Sequence, residues 1–513
     1  MAVVSSVDAR TGAVRSWSTE STTLGELTLA VDRAKSAAHW LGAQAREGRA
    51  KLLGLLAQSL EAHSDELVLI ADAETALGEE RMRSELVRTC FQLRFMADVA
   101  LEGSYLNASI EHAKDTALGS QPDLRKINVP IGTVAVFGSS NFPFAFSVPG
   151  GDSASALAAG CPVIVKAHGS HPQLSSTVGE LFAAVLKDYS APEGVFQVVF
   201  GRDAGIALVQ HPGIRAVGFT GSVSGGRALF DLAAARVDPI PFYGELGSVN
   251  PLVVTLDAAA ARGATIGVGL ANSMTLGAGQ FCTKPGLFFV PAGAGGDDLV
   301  SHLISSLEAV APTHLLNDGI SIAFRSGVAD VVGERDIRVR VHGRDGARAV
   351  APVLVEVDAT EFDGEVRRIL SEEYFGPFAA IVRWQTLDQV ERILGGLPPA
   401  LTGTIHSGGR DDTELSPVTA MLIARSGRVI FDGYPTGVSV AWGMNHGGQY
   451  PASTSYATSV GAGAIDRWVR PVSFQAAPPE VLPSELSDSM DEIPRRVDGV
   501  AQVAAIRSGE DAS

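Results

Sequence analysis

The sequence predicts an α/β protein with two successive parallel-sheet units. Three observations predict it. From residue 126 onward, short β-rich runs alternate with helical stretches, the pattern of parallel strands joined by crossover helices. The runs are continuously apolar rather than alternating, as strands buried on both faces require. The composition is that of a compact chain: 46% of its 513 residues are hydrophobic and 19% charged, against about 25% charged in ordinary domains. Its 56 glycines supply tight loops. The balance excludes a disordered chain, and the length allows roughly three domain-sized units.

The elements follow in order. Residues 24–103 read as helices. Thr23 and Glu26 have capping-box spacing, so each can satisfy an orphan N–H of the other, and apolar residues recur at helical period through Leu41 and again over 52–60. The first β series comprises 134–137, 163–165, 195–200, 216–220 and 251–256, with helices over 174–187, 205–210 and 227–235 between them. A second α/β unit begins after about residue 246, with runs at 286–290, 354–357, 380–384, 401–406 and 429–431. No internal repeat relates the two units. Beyond residue 476 the chain is rich in Pro, Ser, Asp and Glu and has little apolar period. That stretch reads as a loose tail.

Charge and cysteines exclude further classes. Asp plus Glu outnumber Lys plus Arg by 57 to 40, a net charge of −17. Such a surface is expected to bind neither nucleic acid nor an anionic membrane. The three cysteines, Cys90, Cys161 and Cys282, are odd in number and widely spaced, with no metal-ligand pattern. No disulfide scaffold and no metal site are expected, and a reducing compartment is the default. There is no apolar leader and no apolar run of about 18 residues, so a cytoplasmic location is expected.

Five stretches have residue types that can do chemistry, and each alone has an ordinary structural explanation. Cys282 follows Gly277-Ala278-Gly279, small residues that let a substrate reach a thiol; a buried structural cysteine is the commoner reading. Glu245 lies in Tyr243-Gly244-Glu245-Leu246-Gly247, where it could be a general base; a surface-loop carboxylate is the commoner reading. Asn141, in Gly138-Ser139-Ser140-Asn141-Phe142-Pro143, has an amide able to hold an oxyanion; an Asn-Phe-Pro turn is the alternative. Lys166 ends a buried strand and precedes Ala167-His168-Gly169, at the sheet edge where such folds bind ligands; it could equally reach water. Thr220-Gly221-Ser222-Val223-Ser224-Gly225-Gly226 joins a strand to a helix and could cradle a phosphate, or form a plain glycine-rich turn. A GxGxxG fingerprint is absent from its expected place.

In this order and at these spacings, the five stretches resemble the aldehyde dehydrogenase superfamily over roughly residues 20–475. Ser371-Glu372-Glu373-Tyr374-Phe375-Gly376-Pro377 is a sixth match. Finer motifs are similar to the α-ketoglutaric semialdehyde (2,5-dioxovalerate) dehydrogenase branch. They are Glu245-Leu246-Gly247-Ser248-Val249-Asn250-Pro251, Gly279-Gln280-Phe281-Cys282-Thr283-Lys284-Pro285-Gly286 and His446-Gly447-Gly448-Gln449-Tyr450-Pro451-Ala452.

The resemblance implies a mechanism and a layout. Cys282 would attack the aldehyde, Asn141 and the Cys282 N–H would hold the oxyanion, and Glu245 would activate the hydrolytic water. Lys166 would bond the adenosine ribose or its phosphate, and the turn bearing Gly221, Ser222 and Gly226 would face the pyrophosphate. Glu373 would hold the nicotinamide ribose, with Phe375 near the ring. NAD-preferring relatives commonly carry Glu where this chain has Gly169. NADP is therefore the expected cofactor, with NAD possible and His168 beside the pocket. A Rossmann-type coenzyme domain is implied over 1–114 and 134–245, and an α/β catalytic domain over 246–454. A β arm is implied over 115–133 and 455–478, followed by an acidic, flexible tail over 479–513. The arm implies a homodimer or a dimer of dimers. A medium- or long-chain aliphatic aldehyde is the rival substrate, and a non-catalytic scaffold of the same fold the rival of another class.

Overall fold

The computed structural model describes residues 2–503. The chain opens with an antiparallel hairpin, Val3–Val7 with Val14–Glu20, which the sequence reading did not anticipate. Four helices follow, Leu24–Gly42, Arg46–Ala62, Ser64–Thr75 and Glu79–Glu102. The capping box forms: Thr23 Oγ1 accepts from the Glu26 N–H at 3.2 Å, and Glu26 Oε2 accepts from the Thr23 N–H at 2.8 Å.

The first sheet is wholly parallel. Its spatial order is Phe242–Glu245, Ala216–Thr220, Val134–Phe137, Val163–Lys166 and Phe196–Val199. Val134–Phe137 is first in sequence and central in space. The chain then builds outward on one side and afterwards on the other, so a crevice opens at the carboxyl ends beside that strand. Val134 and Val136 point into one buried cluster, Ala135 and Phe137 into another. Both faces are covered, which is why the runs are continuously apolar.

The second sheet runs Arg338–His342, Val353–Asp358, Phe378–Trp384, Leu287–Pro291, Pro251–Val254, Ala400–His406 and Ser426–Phe431, parallel except at the first. The run at 251, read in the first series, therefore belongs to the second sheet. The first sheet is completed by Phe242–Glu245, whose Gly244 and Glu245 break the apolar pattern that announces the other strands.

A third sheet takes in both segments expected to form an arm, Val469–Gln475 and Leu124–Pro130, and beyond them Ala108–Glu111, expected in the coenzyme domain, then Arg495–Val497 and Val500–Gln502. Here the expectation of a flexible tail from residue 479 is corrected. Arg495–Val497 pairs in parallel with Ala108–Glu111 and antiparallel with Val500–Gln502. Leu486 and Ile493 are fully buried, and Arg495 donates to the carbonyls of Ser487 and Asp488 at 2.6 and 3.1 Å. A few apolar anchors and one buried arginine order a segment whose average composition is polar. Residues 504–513 of the expected tail lie outside the described residues. Among the described residues, no helix is long and apolar enough to cross a membrane.

Candidate active site

The crevice at the carboxyl ends of the first sheet faces the loops of the second and encloses a cleft of about 580 Å³. Asn141, Glu245 and Cys282 line it together with His168, Gly221, Ser222, Glu373 and Phe375. Six separate stretches of sequence thus meet in one cavity.

Cys282 is presented by an unusual turn. The helix Leu256–Thr275 ends, and Gly277, Ala278 and Gly279 follow with φ of +56°, +59° and +68°. Three successive left-handed residues reverse the chain tightly, at a steric cost for the alanine. A Cβ on Gly277 would strike Arg81 and Phe281, and one on Gly279 would strike the Gly376 carbonyl. Beyond the turn, Asn250 Nδ2 donates to the carbonyls of Cys282 and Lys284 at 2.7 and 3.0 Å. The Cys282 N–H has no intrachain acceptor among the described residues, so it is free to donate into the cleft.

Glu245 closes the strand Phe242–Glu245 and is buried. Its Oε1 lies 2.8 Å from His446 Nε2, and its Oε2 accepts from Ser459 Oγ at 2.9 Å. His446 Nε2 is also 3.6 Å from Cys282 Sγ. The thiol, imidazole and carboxylate atoms all lie within 4.8 Å of one another. Burial pushes the Glu245 carboxyl up, but His446, Cys282 and Ser459 outweigh it and leave the group below its ordinary value. The Cys282 thiol moves the other way, well above 9.0, through burial and then the Glu245 charge. Asn141 Nδ2 donates to the Gln280 carbonyl at 2.9 Å, which aims its amide at the cysteine loop.

Of the residues expected to hold a cofactor, His168, Gly221, Ser222, Glu373 and Phe375 line the other wall, whereas Lys166 and Gly169 are not among the lining residues. Ser222 caps the helix Val223–Ala234, its Oγ accepting from the Gly225 N–H at 3.2 Å. Lys166 ends its strand, half-buried, its alkyl chain against Gly205. Burial, then His171 and Lys166, hold His168 well below 6.5, so it is neutral at pH 7. Gly169 is exposed, and a Cβ there would meet nothing within 4 Å. Gly226 is not among the lining residues: it is buried under Leu246 and Phe219, where a Cβ would clash. Its lack of a side chain serves packing behind the turn. Glu373 lies over Gly247 and is pushed up to about 7 by burial, opposed by Lys284. Burial in turn brings Lys284 down to about 8, and its Nζ donates to the Phe378 carbonyl at 2.6 Å.

Sequence reasoning missed four residues of this site as participants. His446 reads in the sequence as part of a glycine-rich loop, a turn-former that could touch substrate, and not as a partner of Glu245. Ser459, Asn250 and Lys284 had no role, because their partners come from distant segments and no local motif announces them.

The chain resembles known proteins in both sequence and fold. The model of the Aldehyde dehydrogenase family matches residues 5–454. The chain is 43% identical over 468 residues to alpha-ketoglutaric semialdehyde dehydrogenase 2 of Azospirillum brasilense, covering 90% of this chain and 89% of the relative. It is 37% identical, again over 468 residues, to alpha-ketoglutaric semialdehyde dehydrogenase of Acinetobacter baylyi, with 89% and 87% covered. Among solved structures, NADP-dependent glyceraldehyde-3-phosphate dehydrogenase of Bacillus halodurans C-125, complexed with NADP, superposes with a TM-score of 0.78 at 21% identity, covering 93% of this chain and 96% of that one. The chain belongs to the aldehyde dehydrogenase family.

Proposed function

We propose that the protein oxidises α-ketoglutaric semialdehyde to 2-oxoglutarate, with NADP as its preferred cofactor. The observation that carries this reading is the identity of 43% and 37%, over about nine-tenths of the chain, to two enzymes named for that substrate. The meeting of Cys282, Glu245 and Asn141 at one cleft supports it.

The cleft fits a nicotinamide dinucleotide. A helix N-terminus under Ser222 offers N–H groups to a pyrophosphate. Lys166 stands at the end of the strand two places away in the sheet, beyond Val134–Phe137, and Glu373 at the far end offers a carboxylate for ribose hydroxyls. Gly169 leaves open space where a carboxylate would repel a 2′-phosphate. When bound, the cofactor supplies the hydride acceptor.

The chain's own residues do the rest. Cys282 attacks the aldehyde carbon as a thiolate, its proton passing toward His446 and Glu245. The new alkoxide is held by Asn141 Nδ2 and the Cys282 N–H, a pair of donors whose loss typically costs about 10²- to 10³-fold in rate per donor. After oxidation Cys282 holds a thioester. Glu245, kept ionised by His446 and Ser459, takes a proton from the water that hydrolyses it.

Two further readings belong here. The exposed outer strand of the arm, Val469–Gln475, supports a homodimer or a dimer of dimers, and sedimentation as a monomer at working concentration would refute it. The three free cysteines support a cytoplasmic, reducing setting. The test of function is initial rate with α-ketoglutaric semialdehyde and with hexanal, each with NADP and NAD. The reading expects the highest kcat/KM for the semialdehyde with NADP, and a Gly169→Glu variant shifted toward NAD. Preference for hexanal would assign an aliphatic substrate instead.

A further inference from the structure

One side of the cleft carries a triangle of atoms able to bind a metal ion. Cys282 Sγ, a ring nitrogen of His446 and a carboxylate oxygen of Glu245 all lie within 4.8 Å of one another, and among the described residues no other three of His, Cys, Asp and Glu are gathered in this way. One nitrogen faces both partners: His446 Nε2 is 3.6 Å from Cys282 Sγ and 2.8 Å from Glu245 Oε1. No metal pattern shows in the sequence, because the three come from distant segments.

The spacings are near those that a tetrahedral zinc ion imposes. Zinc bonds sulfur at about 2.3 Å and nitrogen or oxygen at about 2.0–2.1 Å. At tetrahedral angles those lengths set sulfur and nitrogen about 3.6 Å apart, and nitrogen and oxygen about 3.4 Å apart. The first spacing is already present. The second needs the carboxylate to withdraw by about half an ångström, exchanging its hydrogen bond to the ring for a bond to the ion.

The ligands are held from behind. Ser459 Oγ donates to Glu245 Oε2 at 2.9 Å, which leaves Oε1 for the ion. The His446 backbone N–H donates to Thr458 Oγ1 at 2.8 Å, and the ring packs on Phe146 with centroids 5.9 Å apart. Such outer partners fix the direction of a ligand and strengthen its bond. The side chains of His446 and Glu245 are 1% and 3% exposed, so water competes weakly for them. Cys282 and Glu245 line the cleft, which supplies an entry path and an open fourth position. Thiolate, imidazole and carboxylate together favour zinc over magnesium or calcium, whose ligands are oxygens. Cys90 and Cys161 do not compete: they are buried elsewhere, with their thiols on the Ala57 and Trp468 carbonyls.

We propose that Cys282, His446 and Glu245 form a zinc site that shuts the enzyme off reversibly. Zinc binds the Cys282 sulfur as thiolate, the thiol proton leaves to solvent, and no electron is transferred. His446 binds through Nε2 with its proton on Nδ1. The ion then occupies the sulfur lone pair that would attack the aldehyde and the carboxylate that would take a proton from water. The binding rests on the cluster alone. The inhibition rests on the roles proposed above for Cys282 and Glu245, so the two are measured separately.

In the experiment, full-length enzyme is freed of metal with a chelator, then titrated with Zn2+ alone by calorimetry and with Co2+ alone by absorption. The expected result is one ion per chain, and for Co2+ a sulfur-to-metal charge-transfer band that is absent from Cys282→Ser. His446→Gln and Glu245→Gln should each weaken Zn2+ binding ten-fold or more, and Ser459→Ala should weaken it about ten-fold. Aldehyde oxidation by the wild type should fall in step with Zn2+ occupancy, recover on adding EDTA and be unaffected by Mg2+ at the same concentration. If Cys282→Ser fails to fold, wild type alkylated with iodoacetamide takes its place and should lose the band. No band in the wild type, or a band that survives loss of the Cys282 thiol, overturns the site. Equal affinity in the wild type, His446→Gln and Glu245→Gln leaves a lone thiol and overturns the chelate. A bound ion with undiminished turnover upholds the site and overturns the inhibition, and with it the role given to Cys282.

Discussion

At Cys282, burial and the nearby Glu245 carboxylate both hold the thiol above its ordinary range. The sign follows directly: a raised thiol pKa leaves the neutral form dominant at pH 7, so the nucleophilic fraction grows with pH. The expected kcat/KM rises steadily from pH 7 to pH 9, measured under initial-rate conditions in buffers of constant ionic strength. A profile already flat at pH 7 would mean that the thiol ionises more easily than its surroundings imply. His446 links this group to the base. His446→Ala should lower kcat about a hundred-fold and displace the alkaline limb of the profile. His446→Gln, which can still donate to Glu245, should recover part of the loss. Equal damage in both variants with an unmoved profile would reduce His446 to packing. The residues legible in sequence were those whose chemistry lies within a local motif, such as Cys282 behind its small residues. His446 was not legible as a partner, because it meets Glu245 across a separation of 201 positions.

The strands and helices divide in the same way. Strands with four or more consecutive apolar residues were readable, as were helices with apolar period and caps. Phe242–Glu245 was not, since its neighbours rather than its own sequence make it a strand. The C-terminal segment was misread for a related reason. Its order depends on Leu486, Ile493 and Arg495 finding particular seats on the arm, and the surrounding Pro, Ser and acidic residues dilute that signal. Deleting 479–513 would strip the edge of Ala108–Glu111 and uncover the apolar contacts of Ile493 around Gly103. Exposed edges pair with other chains, so the truncated protein should aggregate, seen as increased light scattering at a temperature the full chain tolerates. A truncated chain that remains clear and active would show the segment to be dispensable.

Across the whole molecule, the cleft is assembled from both α/β units: Thr220 and Ser222 come from the first, Cys282 and Glu373 from the second. A ligand spanning them should stabilise the folded chain against thermal unfolding. At a hundred times its dissociation constant the linkage contributes about 2.7 kcal/mol. NADP should therefore raise the melting temperature of the wild type, and equally that of Cys282→Ala, which turns over no aldehyde. No shift in either would remove the dinucleotide from this cleft. The two-unit plan was readable because β and α runs alternate along the chain. The cleft itself was not, since sequence order says nothing of how one sheet faces the other.

The bare contact between Gly279 and the Gly376 carbonyl has a consequence beyond geometry. The loop that carries the nucleophile and the loop that carries Glu373 touch backbone to backbone, with no side chain between them to yield. They behave as one mechanical part. Any shift that a bound dinucleotide imposes on the second loop is handed to Cys282 without slack. Damage to either glycine would then surface as a fault of both partners at once, weaker cofactor affinity and a misaimed thiol. In a changing lineage the two loops would have to drift together or not at all.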